Sequence, residues 1–272
     1  MRTIVHLSDL HFGRTDPALI EPLLATVRAS RPDCVVVSGD LTQRARPGEF
    51  QQARAFLDRL PGQQVVVPGN HDVPLYRLWE RWVDPLGNYR RYIHAEIETT
   101  FIDSEIAVVG VNTARALTFK GGRINAAQVE AIHQRIAALP AEVTKIVVTH
   151  HPFDLPDAPH RDDLVGRAPE AMAAFARCGV DLLLAGHLHT AQAGDTSVRH
   201  ELPGYAALAV QAGTATSTRG RGEANSFNLL RIEPGAVAVE RHLWRPSTGE
   251  FTLNHTERFR REGGRWSEFR SG

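Results

Sequence analysis

A short β-branched run that ends in a polar or glycine-containing turn recurs through the first two thirds of this chain, and that recurrence leaves few folds open. The runs cover residues 3–8, 34–38, 64–67, 106–111, 145–149 and 181–185. Each has the length and composition of a buried strand. Amphipathic stretches of helical length lie between several of them, at residues 17–30, 47–60, 125–139 and 169–178, and they open on Pro or Asn as helix starts do. Strands alternating with helices predict an α/β layered fold whose sheet is covered on both faces. Residues 73–91 are aromatic and charged and read as irregular helix, with Tyr76, Trp79, Trp82 and Tyr89 at near-helical spacing and therefore expected to pack inward, stacking against a base being the alternative. After Gly186 the pattern changes to strand-like pieces at 206–211, 226–232 and 236–241, which predicts a second, largely antiparallel sheet within a β-rich portion at 190–255. The Arg-, Glu- and Gly-rich tail, 256–272, is expected to be loosely ordered. With 272 residues, 42% of them hydrophobic, the whole chain 1–272 fits one domain around a large core.

Sites in α/β sheets form at the carboxyl ends of the strands. Here those ends share one chemistry: Asp9-Leu10-His11, Gly39-Asp40, Gly69-Asn70-His71-Asp72, His150-His151-Pro152 and Gly186-His187-Leu188-His189. Taken singly, each has an ordinary explanation, since Asp after a strand often caps a helix and Asn-His often makes a turn. Taken together they are different, because so many carboxylates and imidazoles along one edge would be costly to desolvate without cations. If the segments are extended, Asp9 with His11, and His187 with His189, point the same way and form pincers. The glycines at 39, 69 and 186 allow tight turns and close approach of the backbone to ions.

In order, Asp-x-His, Gly-Asp, Gly-Asn-His-Asp, His-His-Pro and Gly-His-x-His resemble the calcineurin-like metallophosphoesterase superfamily over residues 9–189. Within it the chain looks most similar to bacterial class III cyclic nucleotide phosphodiesterases and related glycerophosphodiesterases. The resemblance implies a four-layer α/β/β/α sandwich, two mixed β-sheets flanked by helices. It also implies that Asp9, His11 and His189 bind one divalent ion, that Asn70, His150 and His187 bind another, and that Asp40 bridges both. His71 would then stand near the leaving oxygen as a proton donor, with Asp72 orienting it. His151 is the reserve for His150. The implied reaction is phosphodiester hydrolysis by a metal-bridging hydroxide, with 3′,5′-cyclic nucleotides as one substrate class. Glycerophosphodiesters, nucleotide-sugar pyrophosphates and phosphomonoesters are the alternatives.

Two cations held together acidify a shared water and neutralise phosphoryl charge during in-line attack. Mixed oxygen and imidazole donors suit Mn, Fe, Zn or Co rather than Ca. Substrate contacts are expected from two arginine-bearing loops, at 153–167 and 216–226, through Arg167, Arg219 and Arg221. His94, His133, His160, His200, His242 and His255 lack motif context and read as surface or structural residues.

Lysine plus arginine and aspartate plus glutamate both number 31, so no global field draws the chain to nucleic acid, which argues against a nuclease. A non-catalytic scaffold of this fold would be expected to have lost ligands, and every ligand type is present. The expected partner is therefore a small phosphate ester, with a homo-oligomer left open. No apolar run reaches the roughly 18 residues of a membrane span, and a cytoplasmic location is the default. Cys34 and Cys178 sit in apolar stretches and read as buried thiols.

Overall fold

The computed structural model describes residues 1–118, 121–154, 164–218 and 222–269. Two mixed sheets face each other. The first runs, in spatial order, β13 (Arg265–Glu268), β12 (Glu250–Glu262), β11 (Ala236–Arg245), β10 (Ser226–Glu233), β1 (Arg2–Leu7), β2 (Cys34–Ser38) and β3 (Gln63–Val67), and the second β4 (Thr100–Ile102), β5 (Ile106–Gly110), β6 (Thr144–Val148), β7 (Leu182–Ala185), β9 (Leu208–Gln211) and β8 (Gln192–Asp195). Parallel strands β1 (Arg2–Leu7), β2 (Cys34–Ser38) and β3 (Gln63–Val67) carry the chain into the first sheet. The central strands of the second, β5 (Ile106–Gly110), β6 (Thr144–Val148), β7 (Leu182–Ala185) and β9 (Leu208–Gln211), are parallel too. Antiparallel edge strands β4 (Thr100–Ile102) and β8 (Gln192–Asp195) close that sheet.

The layering follows from the two-residue period of a strand. Ile4, Val36, Val65 and Val67 point between the sheets, where they meet Val108, Ile146, Leu184 and Val210. Their neighbours Val5, Leu7, Val35 and Val37 point outward, against Leu19, Leu23, Leu24 and Val27 of helix α1 (Pro17–Ala29) and Phe50, Phe56 and Leu57 of α2 (Pro47–Leu57). Val109, Val147 and Leu183 do the same on the far side, against Ile132 and Ile136 of α5 (Ala126–Ile136) and Met172 and Phe175 of α6 (Ala168–Cys178). Three cores between four layers give the α/β/β/α sandwich. Each fully buried Leu or Val stabilises it by roughly 1.5–3 kcal/mol. Helix starts are set locally: the Asp16 carboxylate accepts from Ala18 N at 3.0 Å, and Asn125 and Gln128 cap each other. Cys34 and Cys178 are both free and buried.

Three expectations need correction. The strands after Gly186 do not form a sheet of their own. Strands β8 and β9 complete the second sheet, whereas β10 (Ser226–Glu233) pairs antiparallel with β1 and extends the first. The tail is ordered through residue 269, because β11 (Ala236–Arg245), β12 (Glu250–Glu262) and β13 (Arg265–Glu268) zip together and seat Phe259 and Trp266 in the inter-sheet core. Of the four aromatic residues expected to pack, only Tyr89 is buried, its hydroxyl donating to the Val66 carbonyl at 2.9 Å. Tyr76, Trp79 and Trp82 are 74%, 80% and 62% exposed. The reason is local. Helix α3 (Leu78–Val83) is a turn and a half long, and its inward position is taken by Arg81, whose buried guanidinium donates to the Pro74, Ala116 and Thr118 carbonyls. Helix α4 (Gly87–Tyr92) then carries Tyr89 into the core. Among the described residues no helix is long and apolar enough to cross a membrane.

Candidate metal centre

Strands β1, β2, β3, β6 and β7 end at one edge of the sandwich, and their following turns are tied to one another. Asp9 N donates to Gly39 O, and His11 N and Phe12 N to the Asp40 and Leu41 carbonyls, so the turns after β1 and β2 run side by side. The backbone there is left-handed: Asp9, His11, Asp40, His187 and His189 have φ of 54°, 48°, 53°, 81° and 62°. Non-glycine residues adopt that region at a cost, which Asp and His bear better than most. The pincers expected from extended segments are therefore corrected. Asp9 and His11 do converge, but through left-handed turns, and His187 and His189 turn to different clusters.

One cluster holds Asp9, His11 and His189; others join His11, Asp40 and His71, and Asp9, Asp40 and His150. Asp9 Oδ1, fully buried, stands 3.5 Å from His11 Nε2 and 3.7 Å from His189 Nε2. Asn70 Oδ1 lies 3.2 Å from His150 Nε2 and 3.1 Å from His187 Nδ1. Asp40 spans the two groups, its Oδ1 3.4 Å from His150 Nε2 and its Oδ2 3.6 Å from His11 Nε2. These donor atoms form overlapping groups at one edge of the sandwich. Such a donor set fits divalent cations and is costly without them.

Supporting contacts fix each donor. His150 Nδ1 donates to the Ser38 carbonyl at 2.8 Å, which turns Nε2 toward the site; His189 Nδ1 is paired with Thr214 Oγ1. Asp9 Oδ2 accepts from Ser8 Oγ at 2.6 Å and from His187 N at 3.1 Å. His151, also grouped with His150 and His187, is anchored through Nδ1 to Thr113 Oγ1 at 2.9 Å. A Cβ at Gly69 would strike Asp40 Oδ1, and one at Gly186 would strike Ser8 Oγ, so close approach to the donors' own side chains is what these glycines permit. Ser8 and Ser38 adjoin the motifs and were open to a sequence reading; Thr113 and Thr214 carry no signal there.

Charge follows geometry. Burial alone would raise the Asp9 carboxyl, but His11, His189 and His150 outweigh it and hold it well below the usual carboxylate range. Burial likewise opposes ionisation of Asp40 and is outweighed by His150, His71 and His11. Burial lowers His187 to about 3, with the neighbouring His150 adding to the effect, so it is neutral and able to donate a lone pair.

His71 sits at the mouth. Its backbone N–H donates to Asp40 Oδ1 at 2.9 Å, Nδ1 donates to the Gln43 carbonyl at 3.0 Å, and Nε2 lies 4.0 Å from Asp40 Oδ2. The expectation that Asp72 orients this ring is corrected. The Asp72 carboxylate accepts from Leu41 N, Thr42 N, Thr42 Oγ1 and Gly69 N, stitching the Asp40 turn to the Gly69 turn, and burial followed by the Asp40 charge pushes it up to about 6. The Gln43 carbonyl is what sets the His71 ring, and a backbone acceptor leaves no mark in the residue types.

Arg167, left-handed at φ 70°, lines a cavity of about 650 Å³ with Gly121, Gly122, Arg199 and His200. Gly122 packs against the His151 ring, so the cavity adjoins the centre. Arg219, Arg221 and His160 lie outside the described residues. His94 is exposed, His255 is half-buried with its Nε2 3.4 Å from Glu257 Oε2, and His242 stacks on Phe227.

Fold and donor set together define a metallophosphoesterase. The calcineurin-like phosphoesterase family model matches residues 2–191, and the chain belongs to that family of metal-dependent hydrolases. Its relatives include the 3′,5′-cyclic adenosine monophosphate phosphodiesterase of Escherichia coli K12, 25% identical over 256 residues that cover 88% of this chain and 85% of that enzyme. The glycerophosphodiester phosphodiesterase of Enterobacter lignolyticus is 37% identical over 81 residues, covering 25% of this chain and only 29% of that enzyme. A dimetal phosphatase from Danio rerio shares the fold, with a TM-score of 0.67 at 13% identity over 93% of this chain and 98% of its own.

Proposed function

We propose that this chain hydrolyses phosphodiesters, with 3′,5′-cyclic nucleotides as substrate class, at a pair of divalent cations. Asp9, His11 and His189 would hold one ion, Asn70, His150 and His187 the other, and Asp40 both. The observation that carries this reading is the division of the Asp40 carboxylate between the two groups of imidazoles. When bound, such a pair supplies an acidified water and neutralises phosphoryl charge. The protein's own part is to orient and to move one proton. With Nδ1 hydrogen-bonded to the Gln43 carbonyl, a protonated His71 would give its Nε2 proton to the departing oxygen. Asp72 keeps the Asp40 and Asn70 turns in register. Arg167 faces the neighbouring cavity, where a guanidinium can hold a phosphate or an anionic substituent.

The cyclic nucleotide assignment rests on the near full-length likeness to cyclic nucleotide phosphodiesterases. The higher local identity to a glycerophosphodiester phosphodiesterase favours a second reading, hydrolysis of glycerophosphodiesters. Metal analysis of the purified protein, followed by assays with a cyclic nucleotide, a glycerophosphodiester and a monoester, separates them. Two divalent ions per chain and a preference for the cyclic substrate are expected. Metal-independent turnover would remove the mechanism, and a monoester preference would remove the substrate class.

A further inference from the structure

Of the exposed aromatic residues around α3, Tyr76 is linked through Arg44 to the segment that holds His71. Gln43 contributes the carbonyl that holds His71, and the next residue is Arg44, so the Arg44 backbone is fixed at the rim of the site. Its N–H donates to the buried Glu49 Oε2 at 2.7 Å, which pins the root of the side chain. From there the guanidinium lies over the Tyr76 ring, 5.3 Å from its centroid. Tyr76 follows His71 by five residues along the same segment, so the chain on both sides of His71 leads to this pair. One ring face is against Arg44 and the residue is 74% exposed, so an aromatic surface remains open to a flat ligand. Arg81 clamps the segment to the 116–118 loop through the Ala116 and Thr118 carbonyls and holds the segment's own start through the Pro74 carbonyl, and the ring is thus displayed from a fixed ledge. An exposed aromatic ring with a guanidinium behind it, on fixed backbone next to a phosphate-handling centre, is built for stacking.

We propose that Tyr76, backed by Arg44, is the platform on which the nucleobase of the substrate stacks, on the leaving-group side of the cation pair. This rests on the phosphodiesterase reading above and adds to it a preference for base-bearing diesters over base-free ones. The ring reads a π-face rather than a hydrogen-bond pattern, so it accepts purines and pyrimidines alike.

The test compares kcat/KM for 3′,5′-cyclic AMP with that for the base-free 1-O-methylribose 3′,5′-cyclic phosphate. Tyr76→Ala should lower this selectivity ratio roughly 5- to 100-fold, the size of one base–aromatic stack, mainly through KM for the nucleotide. Tyr76→Phe keeps the ring and should keep the ratio, whereas Arg44→Ala should lower it less than Tyr76→Ala. Equilibrium binding of AMP to wild type and to Tyr76→Ala reads the same contact without turnover. An unchanged ratio together with unchanged AMP binding overturns the platform, as does loss of the ratio in Tyr76→Phe. A wild type that binds AMP through Tyr76 but leaves the cyclic nucleotide intact would overturn the proposed reaction and leave the platform standing.

Discussion

The turns that carry the acidic and imidazole groups and the ledge around α3 depart from the usual distribution of side chains in opposite senses. In the turns, Asp9, His11, Asp40 and His150 are ionisable groups held in the interior on left-handed or tightly packed backbone. On the ledge, Trp79 and Trp82 are large apolar groups held in water by a buried arginine. Each arrangement is unfavourable for the chain alone, and the ligands proposed above, cations for the first and a nucleobase at neighbouring Tyr76 for the second, would account for them.

The largest test of that contrast is Asp40→Ala. It removes a carboxylate that faces both groups of imidazoles, and activity should fall to background with less than one divalent ion retained per chain. Retention of two ions would mean the groups are independent. His71→Ala should keep the ions, since the ring lies at the mouth, while lowering turnover by a factor on the order of 10² to 10⁴. Full-rate turnover in that variant would remove the proton-donor role.

The contrast can also be read in stability. Tyr89→Ala empties a core position and should cost about 3–5 kcal/mol in chemical denaturation, whereas Trp82→Ser on the ledge should stay within about 0.5 kcal/mol of the parent. A large cost at Trp82 would show that the ledge packs in solution. The smallest effect concerns Cys34, whose thiol burial pushes up to about 12 from its ordinary 9.0. The folded state therefore holds the proton more tightly than the unfolded chain, and this contribution to stability is lost as pH rises from about 9 toward 12. At pH 8 iodoacetamide should label Cys34 only on unfolding, which mass spectrometry of native and denatured protein checks.

Much of the sandwich was legible because its strands are short, β-branched and bounded by turns, and β2 falls on residues 34–38 as expected. The gathering of Asp9, Asp40, Asn70 and His187 at one edge followed from a single rule about strand ends. Three features escaped. Sheet membership of β8 to β13 depends on which edge offers unpaired backbone, and residue types do not report that. The aromatic spacing of 76–89 suggested packing, yet a helix as short as α3 cannot bring a whole stripe inward, and Arg81 competes for the inside. The support of His71 by the Gln43 carbonyl is a backbone contact and leaves no trace in sequence.

The central claim, two cations sharing the Asp40 carboxylate, is tested most directly by anomalous scattering from a manganese-loaded crystal. Two peaks should appear, one against Asp9, His11 and His189 and one against Asn70, His150 and His187, with Asp40 touching both. A single peak, or two with Asp40 bound to only one, would contradict it.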